Sequence, residues 1–408
     1  MTSALRLGMA LLLCGGLLVS CTDDEGDAGA DPGTEESSGE AATGDPITIG
    51  YANLEVAVPD NTIGVDVAAE YINTEMGGVN GRPIEYVKCE VDGSPETSID
   101  CANRFVEDDV DLVQTAVDPG IDSALPILEE AGIPVVGYTP VTPSVGSDPN
   151  TVFFGTSLAV SSLATLQYFA DSGAESVTFM IQDGTNERRL AEDIFAPAAE
   201  TLGIDYQTVF YEANPDWGVV AGTAMADEPD AIGGPLMIDP DCIGLVGALR
   251  AAAYEGDIYA GYCSAFVEAL GDGAAGVLTG ADRWRTEDPD SAPEAKQAEI
   301  EQYVTAMTDA GQEEKINTFA LFYFAGTIDL ANGLSSISGT IDRDSVLEGL
   351  KGIVGEEAFM GPELTCDGSL VPDETICSTS FLLYEVTDDG GLAAATVDFI
   401  DAAGLLSS

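Results

Sequence analysis

The chain has 408 residues, 72 Asp plus Glu against 13 Lys plus Arg, no His and a formal net charge of −59 at pH 7. That charge repels phosphate backbones and anionic bilayers, which excludes DNA and RNA as partners and disfavours electrostatic adhesion to a membrane surface. Without His, with carboxylates too plentiful for any pair to mark acid–base catalysis, and with no Gly-x-Ser-x-Gly elbow, the chain is not expected to be an enzyme.

The first element is an apolar run from Met9 to Val19 behind one cation, Arg6. It is shorter than the roughly 20 residues needed to span a bilayer and has the order of a signal peptide. Leu18-Val19-Ser20-Cys21 follows the lipobox rule of bacterial lipoprotein precursors. This implies that residues 1–20 are a signal peptide and that Cys21 becomes the acylated N-terminus, held by several chains where one would not suffice. Residues 21–45 carry nine carboxylates, no cation and no aromatic. Such a stretch cannot bury enough apolar surface to offset its ordering entropy and reads as a disordered acidic tether.

From residue 46 the pattern alternates strand and helix. Strands are expected at 47–51, 84–91, 111–115 and 134–138, with helices at 64–75, 96–107 and 123–131 between them. In the first helix Val65, Ala68, Ala69 and Ile72 fall on one face, and Gly77-Gly78 supplies the left-handed residue that stops it. After a turn-rich stretch at 139–150 a second series begins, with a helix at 161–171 and strands at 176–180, 205–210, 231–237 and 257–260. Helices at 293–310 and 318–334 follow; the second is apolar but short and holds Asp329, so it reads as a buried helix and not a membrane span. Residues 359–399 look strand-rich. The fold class is α/β, with two doubly wound parallel-sheet lobes, since this length exceeds one simple core.

Cys14 leaves with the signal and Cys21 is assigned to lipid, leaving six cysteines. An even set in an exported chain suggests disulfides. Six allow 15 pairings. They fall in three close couples, and Cys89 with Cys101, Cys242 with Cys263 and Cys366 with Cys377 is the economical choice. No Cys-x-x-Cys pair and no His are present for zinc, so no metal and no cofactor are expected.

Ala68, Ile72-Asn73, Gly77-Gly78-Val79 and Gly81-Arg82 form a run that resembles the branched-chain amino acid (Leu/Ile/Val) type of ABC-transporter substrate-binding protein. Glu129-Glu130-Ala131-Gly132-Ile133-Pro134-Val135-Val136 and Gly247-Ala248-Leu249-Arg250-Ala251-Ala252 extend the likeness, which spans nearly all of residues 46–400. It implies a type I periplasmic-binding-protein fold: two lobes, three hinge crossings, a ligand in the cleft and delivery to a membrane permease. The expected division is 46–157 plus 284–376 for lobe 1 and 158–283 plus 377–404 for lobe 2. The expected partners are a small molecule, such as an amino acid or a related amide or carboxylate, the permease subunits and the membrane through Cys21. The chain itself is expected to be a monomer. A ligand-sensing or adhesive lipoprotein of the same fold is the alternative.

In open α/β sheets ligands sit beyond the carboxyl ends of the strands. The cleft-facing loops are then 52–63, 116–122, 139–150, 182–188, 238–243, 261–264 and 280–286. Members of the resembled family that bind free amino acids hold the ligand carboxylate with a Ser at the start of the third helix. Here that position falls on Asp118, in Val117-Asp118-Pro119-Gly120, which repels a carboxylate. The family's acidic position falls near Cys263 and an aromatic one near Asp241, so an ordinary Leu, Ile or Val ligand is not expected to be held in the usual way. The candidate ligand contacts are Tyr51, Asp118, Gly120, Tyr138, Thr139, Thr142, Asn186, Asp241 and Trp284. Arg283 and Arg285 are expected to be taken up by neighbouring acids.

Overall fold

Two separate parallel sheets repeat one strand order. The computed structural model describes residues 41–406; the apolar N-terminal run, Cys21 and most of the acidic tether lie outside the described residues. β1 (Ile47–Asn53), β2 (Ile84–Glu90), β3 (Leu112–Thr115), β4 (Val135–Gly137) and β5 (Thr151–Phe153) form the first sheet in the order β2-β1-β3-β4-β5. β6 (Ser176–Gln182), β7 (Asp205–Tyr211), β8 (Ala231–Gly233), β9 (Asp257–Tyr259) and β10 (Val277–Ala281) repeat it as β7-β6-β8-β9-β10. All neighbours within these two series are parallel. Every residue of β3, β4, β5, β8 and β10 is buried, as helices on both faces of a parallel sheet require.

The chain then makes an antiparallel pair, β11 (Val354–Glu357) with β12 (Glu363–Thr365). It returns to the second sheet as β13 (Ser380–Val386), antiparallel to β10, with β14 (Leu392–Ala394) outside it and β15 (Ile400–Asp401) also paired to β13. The first crossing between lobes follows β5, the second follows β10 and the third precedes β13. On the lobe 1 side of the third, Ile376 bridges in parallel to Phe153 of β5.

Helix Ala320–Ser335 shows how lobe 1 is packed. All of its residues except Asn332 and Ser335 are buried. A helix apolar all round belongs inside a core, and no helix among the described residues is long and apolar enough to cross a membrane. Helix Pro59–Thr74 crosses it at Gly64, where a Cβ would lie 2.2 Å from the carbonyl oxygen of Ala320, so only glycine permits this approach.

Several element boundaries differ from the pattern expected of the sequence. Helix Pro59–Thr74 begins five residues before 64, because Pro59 is preorganised for a first turn. The strand expected at 231–237 ends at Gly233: a Cβ at Gly234 would sit 2.1 Å from the Met180 carbonyl, and Pro235 cannot donate to a ladder. The helix expected at 123–131 is split into a 3₁₀ turn, Ile121–Ser123, and a helix, Leu125–Glu130. Three stretches expected as loops contain helices, Pro143–Ser147, Thr185–Arg189 and the first turn of Asp239–Ala251.

The three disulfides pair the cysteines by proximity in sequence: Cys89 with Cys101, Cys242 with Cys263, and Cys366 with Cys377, at Cα separations of 5.7, 6.4 and 4.2 Å. The first ties β2 to helix Pro95–Glu107. The second ties the start of helix Asp239–Ala251 to the loop after β9. The third ties the residue after β12 to the third crossing.

Candidate ligand-binding cleft

In both sheets the strand order reverses next to the first strand, between β1 and β3 and between β6 and β8. Crevices open at such switch points, beyond the strand carboxyl ends. The loops there are 54–58 and 116–120 in lobe 1 and 183–184 and 234–238 in lobe 2.

The lobe 1 loop after β1 is knitted by Asn53, which is buried at the strand end. Its amide donates to Glu55 Oε2 at 2.9 Å, the Val58 carbonyl at 2.9 Å and Thr62 Oγ1 at 3.2 Å, and its Oδ1 accepts from Asn61 at 3.3 Å. Thr62 in turn donates to Glu55 Oε2 at 2.6 Å and to the Tyr51 hydroxyl at 3.3 Å. Tyr51 is buried, and its ring meets Tyr86 edge-on at 5.8 Å, so it supports the loop from beneath.

Across the switch point Asp118 is only 1% exposed, and its Oδ1 accepts from Ser98 Oγ at 2.6 Å and from the Gly120 amide at 3.0 Å. Burial pushes its carboxyl above the usual range. The turn it holds is tight at Gly120, where a Cβ would lie 2.4 Å from Ser98 Oγ. Asp118 Oδ1 is thus bonded within lobe 1 itself.

Beyond β4, Tyr138 is buried and tilts against Phe322 and Tyr323 at 5.6 and 5.9 Å, and its hydroxyl donates to Asp282 Oδ1. Thr139 is half-buried. Thr142 caps helix Pro143–Ser147, accepting from Val145 N at 3.1 Å and donating to Asp122 at 2.5 Å.

In lobe 2, Asn186 lies exposed on helix Thr185–Arg189. Asp241 is half-buried in the first turn of helix Asp239–Ala251, where it accepts from the Tyr211 hydroxyl; burial raises its carboxyl. Tyr211 packs on Trp217 with centroids 4.9 Å apart. Trp284 is 3% exposed and packs edge-on against Phe399 at 5.3 Å.

The walls meet through residues whose significance the sequence pattern did not disclose. Ser264 Oγ in lobe 2 donates to the Asn317 carbonyl at 3.3 Å, and on the lobe 1 side Lys315 pairs with Asp60 at 2.8 Å. Burial, reinforced by the charge of Asp60, raises the carboxyl of Asp239, which accepts from Ala265 N. The cations near this cleft are taken up internally: Arg188 bridges both oxygens of Asp183 at 2.6 and 2.7 Å, Arg283 pairs with Asp329 at 2.9 Å and Arg285 with Glu287 at 2.8 Å. Among the described residues no group of three or more His, Cys, Asp or Glu is placed to hold a metal ion.

The sequence profile of the periplasmic binding proteins matches residues 55–390. The chain belongs to that family. Periplasmic binding proteins are extracytoplasmic ligand-binding proteins and not enzymes, and this one has their type I, two-lobed fold. Solved structures agree on the fold. An ABC transporter substrate-binding protein from Sphaerobacter thermophilus superposes with a TM-score of 0.73 at 20% identity, covering 89% of this chain and 100% of its own. A fatty acid ABC transporter substrate-binding protein from Thermomonospora curvata gives 0.72 at 13%, covering 90% and 96%. The leucine binding protein LivK of Thermotoga maritima gives 0.69 at 16%, covering 86% and 98%. No curated protein sequence matches this periplasmic binding protein.

Proposed function

We propose that this periplasmic binding protein captures one small molecule, an amino acid or a related amide or carboxylate, between its lobes and hands it to the permease of an ABC importer. The observation that carries the reading is the repeated strand order, which gives each lobe a switch-point crevice of the kind that holds ligands. A leucine binding protein and a fatty acid ABC transporter substrate-binding protein share this fold.

Residues 46–157 plus 284–376 make lobe 1 in this reading and 158–283 plus 377–404 lobe 2. Thr139, Thr142, Asn186 and Asp241 touch the ligand, while Tyr51, Asp118, Gly120, Tyr138 and Trp284 hold the walls that present them. A monomer tethered by lipid at Cys21 through residues 22–45 keeps the binder beside its permease, where local concentration replaces free diffusion.

Native mass spectrometry of the protein as isolated tests capture directly: a single bound small molecule per chain is expected. A screen of amino acids, amides, polyols and aromatic acids should then find one class that raises the melting temperature by the linkage RT ln(1 + [L]/Kd). Absence of any bound mass together with no stabilisation by the whole panel would sink the proposal. Incorporation of labelled palmitate that is lost in Cys21→Ala tests the anchor.

A further inference from the structure

The cleft keeps no place for a ligand anion. Every lysine and arginine among the described residues already bonds an acceptor of its own chain; nearest the cleft, Arg188 is held by Asp183 and Lys315 by Asp60. The other holder of anions in an α/β crevice is the start of the helix that follows a strand, where backbone amides are unpaired. Here the chain fills those starts with its own carboxylates. Asp60 stands in the first turn of helix Pro59–Thr74 after β1, and Asp239 and Asp241 in the first turn of helix Asp239–Ala251 after β8. After β7, Asp216 caps helix Trp217–Ala224 by accepting from Gly218 N at 3.0 Å and Val219 N at 3.3 Å. Across the β1–β3 switch point the Gly120 amide is likewise taken by Asp118.

What stays open is acceptors and apolar surface. Asn53 turns its amide nitrogen to Glu55, Val58 and Thr62, so its oxygen takes a hydrogen from Asn61 and the oxygen of Asn61 is left over. Asn61 lies in the first turn of helix Pro59–Thr74 at 1% exposure, and no donor meets that oxygen. A buried acceptor without a donor is costly, and a ligand N–H satisfies it. In lobe 2, half-buried Asp241 is bonded to Tyr211, whose ring packs on half-buried Trp217. Trp217 is itself fixed against Gly244, where a Cβ would stand 2.2 Å from its ring. A carboxylate beside an aromatic face is the setting that attracts an ammonium group. Val56 in the loop after β1 and Met237 and Ile238 in the loop after β8 are exposed and offer apolar contact.

We propose that the cleft selects a small organic cation without a carboxylate, an amino-acid amide or a related amine with a short apolar body. Asp241 beside Trp217 takes its ammonium group, and Asn61 Oδ1 accepts from an amide N–H at its other end. A carboxylate on the same molecule would meet Asp60, Asp118 or Asp239 with no free cation to balance it. The inference rests on the reading of the chain as a ligand-capturing protein and narrows the class of ligand given there.

The intact chain is titrated by calorimetry at pH 7.5 with probes of one skeleton, namely leucinamide, 3-methylbutylamine, leucine and 4-methylpentanoate, and with the matching set built on phenylalanine. In at least one set the amide should bind best, at one site per chain, and the simple amine next. The amino acid should bind at least about tenfold more weakly than its amide, and the acid not at all. Asp241→Asn and Asn61→Ala should each weaken binding of that amide about tenfold. Asp230→Asn should leave it unchanged, since Asp230 bonds Glu175 and Ser176 at the amino ends of the strands; this control separates a site from the general attraction of a chain of net charge −59. An amino acid or acid that binds as well as its amide, or an anionic or neutral molecule found by native mass spectrometry in the protein as isolated, would overturn the inference while leaving ligand capture standing. Equal weakening in Asp230→Asn would overturn it too. No bound mass and no response to any probe would remove both readings together.

Discussion

Arg283 Nη2 lies 2.9 Å from Asp329 Oδ2 with both side chains removed from water. The second oxygen of Asp329 accepts from Phe359 N at 2.7 Å, so the pair ties the second crossing to helix Ala320–Ser335 and to the segment before β12. A buried pair broken on one side leaves an uncompensated charge, which costs about 3–5 kcal/mol, whereas replacing both partners with apolar groups of similar volume is often neutral. Arg283→Met and Asp329→Leu should each lower the urea midpoint strongly, and the double variant should recover most of the loss. A double variant as unstable as the sum of the singles would mean that the pair does not act as a unit.

The same carboxyl predicts an unusual pH profile. Burial pushes Asp329 up to about 6, against the opposing pull of Arg283, and burial likewise raises Asp118, Asp241 and Glu374. A carboxyl whose folded pKa exceeds its unfolded value binds more protons in the native state, so stability rises as pH falls from neutrality through the folded pKa. Asp230 acts in reverse: three hydrogen bonds from Glu175 and Ser176 lower it, and its contribution is lost only in stronger acid, below the ordinary carboxylate range of about 4. Relief of repulsion in a chain of net charge −59 works in the same direction as Asp329. The melting temperature should therefore be higher at pH 5.5 than at pH 7.5. A steady fall over that interval contradicts the assignment, and Asp329→Asn should flatten the difference.

The disulfide between Cys242 and Cys263, 21 residues apart, joins the first turn of helix Asp239–Ala251 to the loop after β9 beside the lobe 2 crevice. Closing a loop of this length is worth about 3 kcal/mol in the chain-entropy account. Cys242→Ala with Cys263→Ala should lower the unfolding free energy by about that amount in denaturant titration, and should also weaken ligand-induced stabilisation because the loop after β9 is freed from the helix start. Loss of stability with ligand response intact would place the ligand elsewhere.

Much of the fold was legible because its signals are local. Val65, Ala68 and Ile72 recur at helical spacing and are all buried; Gly77 and Gly78 both take positive φ after the helix; close cysteines pair with each other. The elements that escaped notice are short or atypical. β5 has three residues, too few for any period, and helix Arg343–Lys351 is only nine residues long, so its Asp342 and Ser345 capping box and the buried pair Val346 and Leu350 are easily passed over. The site was harder to read for a different reason. Asp282 and Tyr138 are 144 residues apart, and nothing near either signals the other. A carboxylate in an acidic chain is also uninformative until burial is known: Asp118 and Asp241 look alike as letters, yet Asp118 is sealed within lobe 1 and Asp241 stands half-exposed on a helix end.

That difference makes Asp241 the sharper probe of the cleft. Asp239, two residues earlier, accepts from Ala265 N and so serves the loop after β9, while Asp241 is bonded to the Tyr211 hydroxyl and lies on the first turn of a helix, where a carboxylate is favoured by the unpaired amides. Removing it should leave the fold nearly intact and act on the ligand. Asp241→Ala and Asp241→Asn, titrated with the small molecule released from the isolated protein, should bind at least about tenfold more weakly, a loss of about 1.4 kcal/mol in linkage. The Asn variant should retain more affinity than Ala if the side chain accepts a hydrogen bond, and should fall with Ala if it neutralises a ligand cation. Asn186→Ala, on the exposed helix Thr185–Arg189, should weaken binding less. Unchanged affinity in all three variants would remove this end of lobe 2 from the binding surface.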